Sequence, residues 1–220
     1  MKAQSTNKDF FQRTILILGV LAGISLFGYA SVNLIRMPAV SPDAFVPKEL
    51  AQAGRSSLGL LQFIFILGFS FSLLPVTIMF TIKRYRDNPA GMIIGCSLLC
   101  FALIIEVMNN LPFIGNYVYP EPLAEIPPEV LLYLNQMSAI RYLSFDVAGF
   151  TILYVSLFIY ALIYWNSKRM MGYLIVASII IFSASAPFLW ISGSMAVVLM
   201  AVSIFCLVPI PIYFGRMAVE

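Results

Sequence analysis

Residues 91–113 read GMIIGCSLLCFALIIEVMNNLPF, twenty-three residues with a single charged side chain, Glu106. Crossing the hydrocarbon core of a bilayer takes about 20 apolar residues in a helix, so this run predicts a transmembrane helix. Membrane β-strands would alternate apolar and polar residues, and this run is continuously apolar, which disfavours a barrel. Five other stretches have the same character: 14–35, 58–82, 142–165, 172–190 and 194–214. The last two are separated only by Ile191-Ser192-Gly193, which predicts a tight helical hairpin.

The composition agrees. Hydrophobic types make up 61% of the 220 residues, charged types 10%, and the mean hydropathy is +0.94. A soluble domain is nearer half apolar and about a quarter charged. The sequence therefore predicts an all-α integral membrane protein, a single domain over 1–220, built as a six-helix bundle.

There is no histidine. That excludes histidine general-base catalysis, histidine-ligated haem, the common zinc sites and histidine pH switching. Cys96, Cys100 and Cys206 all lie in apolar runs, and an odd number with two only four apart does not imply a disulfide framework. They read as small buried hydrophobes. No Gly-x-Ser-x-Gly, phosphate loop, metal-ligand cluster or other catalytic constellation is present, and no cofactor is expected. No basic cluster is large enough to suggest nucleic acid.

Orientation follows from the bases in short loops. With the N-terminus in the cytoplasm, the inner segments hold nine of the thirteen: Lys2, Lys8, Arg13, Lys83, Arg84, Arg86, Lys168, Arg169 and Arg216. The outer loops hold Arg36, Lys48, Arg55 and Arg141. Both termini are then cytoplasmic. The long third loop carries Glu121, Glu125 and Glu129 and reads as external. Within it, Pro127-Pro128-Glu129 resembles a helix start, so 129–140 is expected to be helical, extending the fourth helix outward or lying in the interface. Tyr85, Tyr164, Trp165 and Tyr213 fall near inner edges, and Tyr117, Tyr119 and Trp190 near outer edges, as interfacial aromatics do. The first apolar run, 22 residues from 14 to 35, exceeds the about 7–15 of a signal-peptide core and reads as a retained helix.

Two acids fall inside the spans, Glu106 and Asp146. An ionisable group at membrane depth is expensive and is a functional candidate by default. At 1.5 Å per residue Glu106 lies roughly 10 Å, and Asp146 roughly 6 Å, inside the outer boundary. At about 100° per residue, Glu106 shares a face with Gly91, Gly95, Leu99, Ala102, Asn109 and Asn110. Small residues let a second helix approach closely, so this face is expected to point into the bundle. Pro112 follows, where the helix is free to break. Asp146 shares its face with Tyr142, Gly149, Leu153, Leu157, Tyr160 and Tyr164. Arg141 lies about 140° from Asp146 on a straight helix, so it pairs more readily with Glu106 at the outer rim. The candidate polar site is thus Glu106, Asn109, Asn110, Asp146, Tyr142 and Arg141. Three roles stay open for its acids: structural pairing, a ligand or ion site, and paired-carboxylate chemistry.

Weaker signals are Gly19-x-x-x-Gly23 as a packing face, Pro75, Pro187, Pro209 and Pro211 as kinks or ends, and Ser183-Ala-Ser185-Ala as a close-packed stretch of helix five.

Around helix three the basic loop Lys83-Arg84-Tyr85-Arg86, the glycines Gly91 and Gly95, then Phe101 and Glu106, followed by the short Ser167-Lys168-Arg169 loop and a closely spaced final helix pair, form one layout. It resembles the bacterial six-helix family catalogued as domain of unknown function 4386. That family often has an arginine after the phenylalanine, where this chain has Ala102. The resemblance implies a prokaryotic inner-membrane protein and no assigned activity. The functions left in view are binding of a lipid or small solute, service as an accessory subunit of a membrane-protein partner or a homo-oligomer, proton-coupled transport through Glu106, and intramembrane hydrolysis by Glu106 and Asp146.

Overall fold

The computed structural model describes residues 2–36, 57–118, 147–191 and 193–220. Among the described residues all regular structure is helical, with no strand. The helices are α1 (Lys2–Arg36), α2 (Ser57–Arg84), α3 (Pro89–Val118), α4 (Val147–Tyr164), α5 (Arg169–Ile191), α6 (Gly193–Leu207) and α7 (Ile210–Val219). Among the described residues, six helical spans are long and apolar enough to cross a membrane; α1 to α5 supply one each, and α6 with α7 supplies the sixth, Met195–Val219.

Helix α1 begins well before its apolar run. Residues 2–13 contain neither glycine nor proline, so nothing stops the helix at the end of the greasy stretch. At the other end of the sequence, the sixth span is not one helix. It breaks at Val208-Pro209, and Pro209 caps α7 with φ −73° and ψ −18°. Pro209 and Pro211 each lack an N–H, so the helical ladder loses two donors within three residues. Pro75 and Pro187, by contrast, lie inside continuous helices. Pro112 also lies within α3, which continues to Val118 rather than breaking there. Neighbouring helices make such interior prolines tolerable in membrane segments.

Helix α1 packs on α2, α6 and α7; α2 also packs on α3 and α7; and α5 pairs with α6. The α5–α6 pairing is the hairpin that the short 191–193 linker requires. Helix α4 runs through the middle. Its Phe150 stacks on Tyr29 of α1, its Tyr154 meets Phe182 of α5 with tilted rings 4.8 Å apart, and its Tyr160 meets Phe214 of α7 edge-on at 5.1 Å. Its Tyr160 hydroxyl also shares a 3.4 Å hydrogen bond with Thr81 of α2. Because lipid is as apolar as leucine, such contacts and the close approach of small residues hold the bundle together, rather than burial of apolar area from water.

The small-residue signals acquire specific partners. A Cβ on Gly19 would lie 2.8 Å from the Pro211 carbonyl oxygen, and one on Gly23 2.9 Å from that of Val208. The Gly19-x-x-x-Gly23 face is therefore the seat of the α6–α7 break. On α5 the expectation fails: of Ser183, Ala184, Ser185 and Ala186, only Ser185 is buried. Tyr164 also departs from its expected place as an interfacial anchor. It is buried, its ring meets Phe80, and its hydroxyl donates to Asp87 Oδ2 at 2.9 Å. The acid in the α2–α3 turn supplies a partner inside the bundle end, which outcompetes the interface for this ring.

The expected segments at 36–57 and 114–141, including the helical stretch at 129–140, lie largely or wholly outside the described residues, as do Arg141, Tyr142, Asp146 and Tyr119. The side chains of Tyr117 and Trp190 are also outside them.

Candidate functional site

The face of α3 that carries Glu106 points into the protein. Glu106 is 2% exposed, Asn109 7% and Asn110 0%, and Leu99 and Ala102 on the same face are buried. Phe101, Ile104, Met108 and Leu111 on the opposite face are exposed, as lipid-facing side chains would be. The 100° turn of the helix separates the two sets without exception over this stretch.

What the face meets is α4, antiparallel and in one continuous register. A Cβ on Gly91 would reach Ile163 Cδ1 at 2.8 Å, and one on Gly95 would reach the Tyr160 ring at 2.9 Å. Between these levels and the site, Ser156 Oγ donates to the Gly95 carbonyl at 2.7 Å. Further along, the Glu106 carboxylate lies directly on the Cα of Gly149: a Cβ built there would collide with Glu106 Oε1, and would come within 3.1 Å of Ile105 Cγ2. Each glycine thus makes room for a large group on the facing helix. At Gly149 the group accommodated is a carboxylate.

Asn110 closes the site. Its Nδ2 donates to the Glu106 carbonyl at 2.8 Å, an i to i−4 bond that fixes the amide against the helix. Its Oδ1 is buried with no hydrogen-bond partner among the described residues. A buried amide oxygen left unmatched costs about 1–3 kcal/mol, so a donor that reached it would be stabilised by the same order. Among the described residues the structure brings together Glu106, Asn109 and Asn110 from the sequence-predicted set, and adds Gly149. The sequence carried a signal for Gly149: it is the lone glycine of 142–165, seven residues inside its span, as Glu106 is seven inside 91–113. Antiparallel neighbours at equal depth meet.

Two other interior features frame this site. Tyr154 of α4, Ser178 of α5 and Ser203 of α6 form a buried hydroxyl cluster. Tyr154 Oη is 2.8 Å from Ser203 Oγ and 3.2 Å from Ser178 Oγ, and Ser178 donates to the Ser203 carbonyl at 2.6 Å. Near the middle, a gap lined by Leu26, Phe69, Leu73, Leu153 and Leu207, among others, is wholly apolar and holds space for about one water. No group of three or more acidic, cysteine or histidine side chains suited to a metal occurs among the described residues. The three cysteines are free and half-buried.

By architecture the chain is a helical multi-pass membrane protein. No family model, no curated protein and no solved structure matches it.

Proposed function

We infer that the protein is a multi-pass plasma-membrane protein of the bacterial inner-membrane type, with both termini cytoplasmic, that binds a lipid or a small polar solute between α3 and α4 in the outer half of the bilayer. The observation that carries this is the pairing of Glu106 with Gly149 beside the unmatched Asn110 Oδ1. A carboxylate at membrane depth is costly, and a glycine on the facing helix accommodates it where a leucine would have filled the space. Asn110 Oδ1 accepts hydrogen bonds, so the ligand class is one that donates them: an amine, an alcohol or a hydroxylated headgroup.

The test is native mass spectrometry of the protein purified in mild detergent, with Glu106→Gln and Asn110→Leu alongside the wild type. A small molecule retained by the wild type and lost from both variants supports the proposal. Identical adducts in all three remove it.

A second reading is proton-coupled transport with Glu106 as the coupling acid. It is favoured by the hydroxyl groups of Ser156, Tyr160 and Tyr164, four residues apart on one face of α4, which are hydrogen-bonded to the Gly95 carbonyl, Thr81 and Asp87 in turn. Solute flux driven by a proton gradient in proteoliposomes, equal for wild type and Glu106→Gln, would eliminate that role. Hydrolysis by paired carboxylates requires Asp146 beside Glu106, and Asp146 is outside the described residues.

A further inference from the structure

At the opposite end of the bundle from Glu106, three bases from three different elements converge on one side chain. Arg216 Nε donates to Glu220 Oε1 at 2.8 Å, Lys168 Nζ lies 3.3 Å from Glu220 Oε2, and Arg84 Nη2 lies 3.8 Å from the same oxygen. Arg84 ends α2, Lys168 precedes α5, and Arg216 is in α7. Topogenesis asks only that bases be present in the loops. It does not ask that they aim at one point.

Three bases contact one side-chain carboxylate, so bases outnumber acids among the contacting side chains. None of the four side chains is buried: their exposures are 28% for Arg84, 32% for Lys168, 71% for Arg216 and 37% for Glu220. The position is therefore open to an anion from outside. Ile212, one turn before Arg216 on the same face of α7, is exposed and apolar, and Ile82 of α2 and Met170 of α5 are exposed apolar side chains within two residues of Arg84 and Lys168. Trp165 and Tyr173 pack edge to face at 5.4 Å across the α4–α5 turn that holds Lys168. A charged group flanked by greasy surface and an aromatic pair has the layered chemistry of a phospholipid: phosphate above, glycerol and acyl chains below.

We propose that Arg84, Lys168 and Arg216 form a binding site for the headgroup of an anionic phospholipid, with the Glu220 carboxylate standing in for the lipid phosphate. The phosphate would sit against the same three bases, and Glu220 competes with it. The site is remote from Glu106 and independent of what binds there.

The experiment is native mass spectrometry and thermal unfolding in mild detergent with added phosphatidylglycerol, phosphatidylcholine or inorganic phosphate. The wild type retains phosphatidylglycerol over phosphatidylcholine, and each base neutralised in Lys168→Gln and Arg216→Gln lowers that preference by about fivefold. Arg84 also donates to the Met217 carbonyl and is left intact so that the fold is not perturbed. Glu220→Gln removes the competitor and keeps the bases, so it raises phosphatidylglycerol retention; a merely structural clamp would give no increase. Equal retention of the two lipids by the wild type, or reduced phosphatidylglycerol retention in Glu220→Gln, overturns the proposal. So does inorganic phosphate that stabilises as well as phosphatidylglycerol, because the site would then be a free-anion site.

Discussion

Gly149 and Glu106 test each other. Adding one methyl group at Gly149 forces the carboxylate off the α4 backbone, and the cost of such overpacking is typically about 1–3 kcal/mol. Gly149→Ala is therefore expected to lower thermal stability measurably in the wild-type background. In a Glu106→Ala background the methyl group enters vacated space, and the same substitution should cost much less, with Ile105 Cγ2 the remaining contact. A double-mutant cycle by thermal or denaturant unfolding in detergent reads the coupling directly. Additive effects would mean that the carboxylate does not occupy the notch. That Glu106 faces inward was legible from the sequence, since a 100° turn places it with Gly91, Gly95 and two amides. That it rests on Gly149 was legible only as a shared depth, seven residues inside each span, because one-dimensional spacing does not say which two helices are neighbours.

Across elements, the same logic places α1 against a carbonyl edge. Gly19 and Gly23 lie on the backbone oxygens of Pro211 and Val208, and Gly215 in turn lies on the Ile15 carbonyl, where an added Cβ would sit 3.2 Å away. Backbone atoms cannot rotate aside as a side chain can, so the helices themselves must part. Gly19→Ala is expected to destabilise the protein, and Gly19→Leu more so, whereas Val20→Ala on the exposed neighbouring face should change the unfolding temperature little. An unchanged unfolding temperature for Gly19→Leu would mean that the α1–α7 contact contributes nothing. The helices themselves were legible because long apolar runs have few alternatives in a bilayer. The split of the last span was only half legible: its prolines were visible, but Pro75 and Pro187 look the same in sequence and leave their helices continuous. What distinguishes 208–211 is a pair of missing donors two residues apart with a glycine face seated on the interruption.

At the scale of the whole molecule, side chains from α2, the α4–α5 turn and α7 meet at one end, where Glu220 contacts Arg84, Lys168 and Arg216. The Gln12 side chain donates to the Val219 carbonyl and Arg84 to that of Met217, so α1, α2 and α7 are fastened near the same point. None of this was legible in the sequence, which scatters Gln12, Arg84, Lys168, Arg216 and Glu220 over more than two hundred residues. Sorting the bases by loop showed their side of the bundle and not their convergence. If that side is cytoplasmic, as the inner excess of bases proposes, a cysteine at Lys168 should resist a membrane-impermeant maleimide in intact cells, and one at Glu125 should react. The background for this measurement replaces Cys96, Cys100 and Cys206 with alanine, and the reverse pattern would invert the topology. The clamp also has a pH signature of definite sign. The hydrogen bond from Arg216, and then that from Lys168, hold the Glu220 carboxyl below the ordinary value of 4.5. A carboxyl whose folded-state value is lowered contributes stability that is fully present above its unfolded value and lost as the pH falls through the folded one. The unfolding temperatures of wild type and Glu220→Gln should therefore differ by a constant amount at neutral pH and converge below about pH 4.5 as the carboxylate takes up its proton. Salt should narrow the neutral-pH difference as well, because none of the four groups is buried and all are open to screening by ions. A difference that persisted unchanged in acid would mean that Glu220 acts through packing, and the charge convergence at this end would then carry no stabilising role.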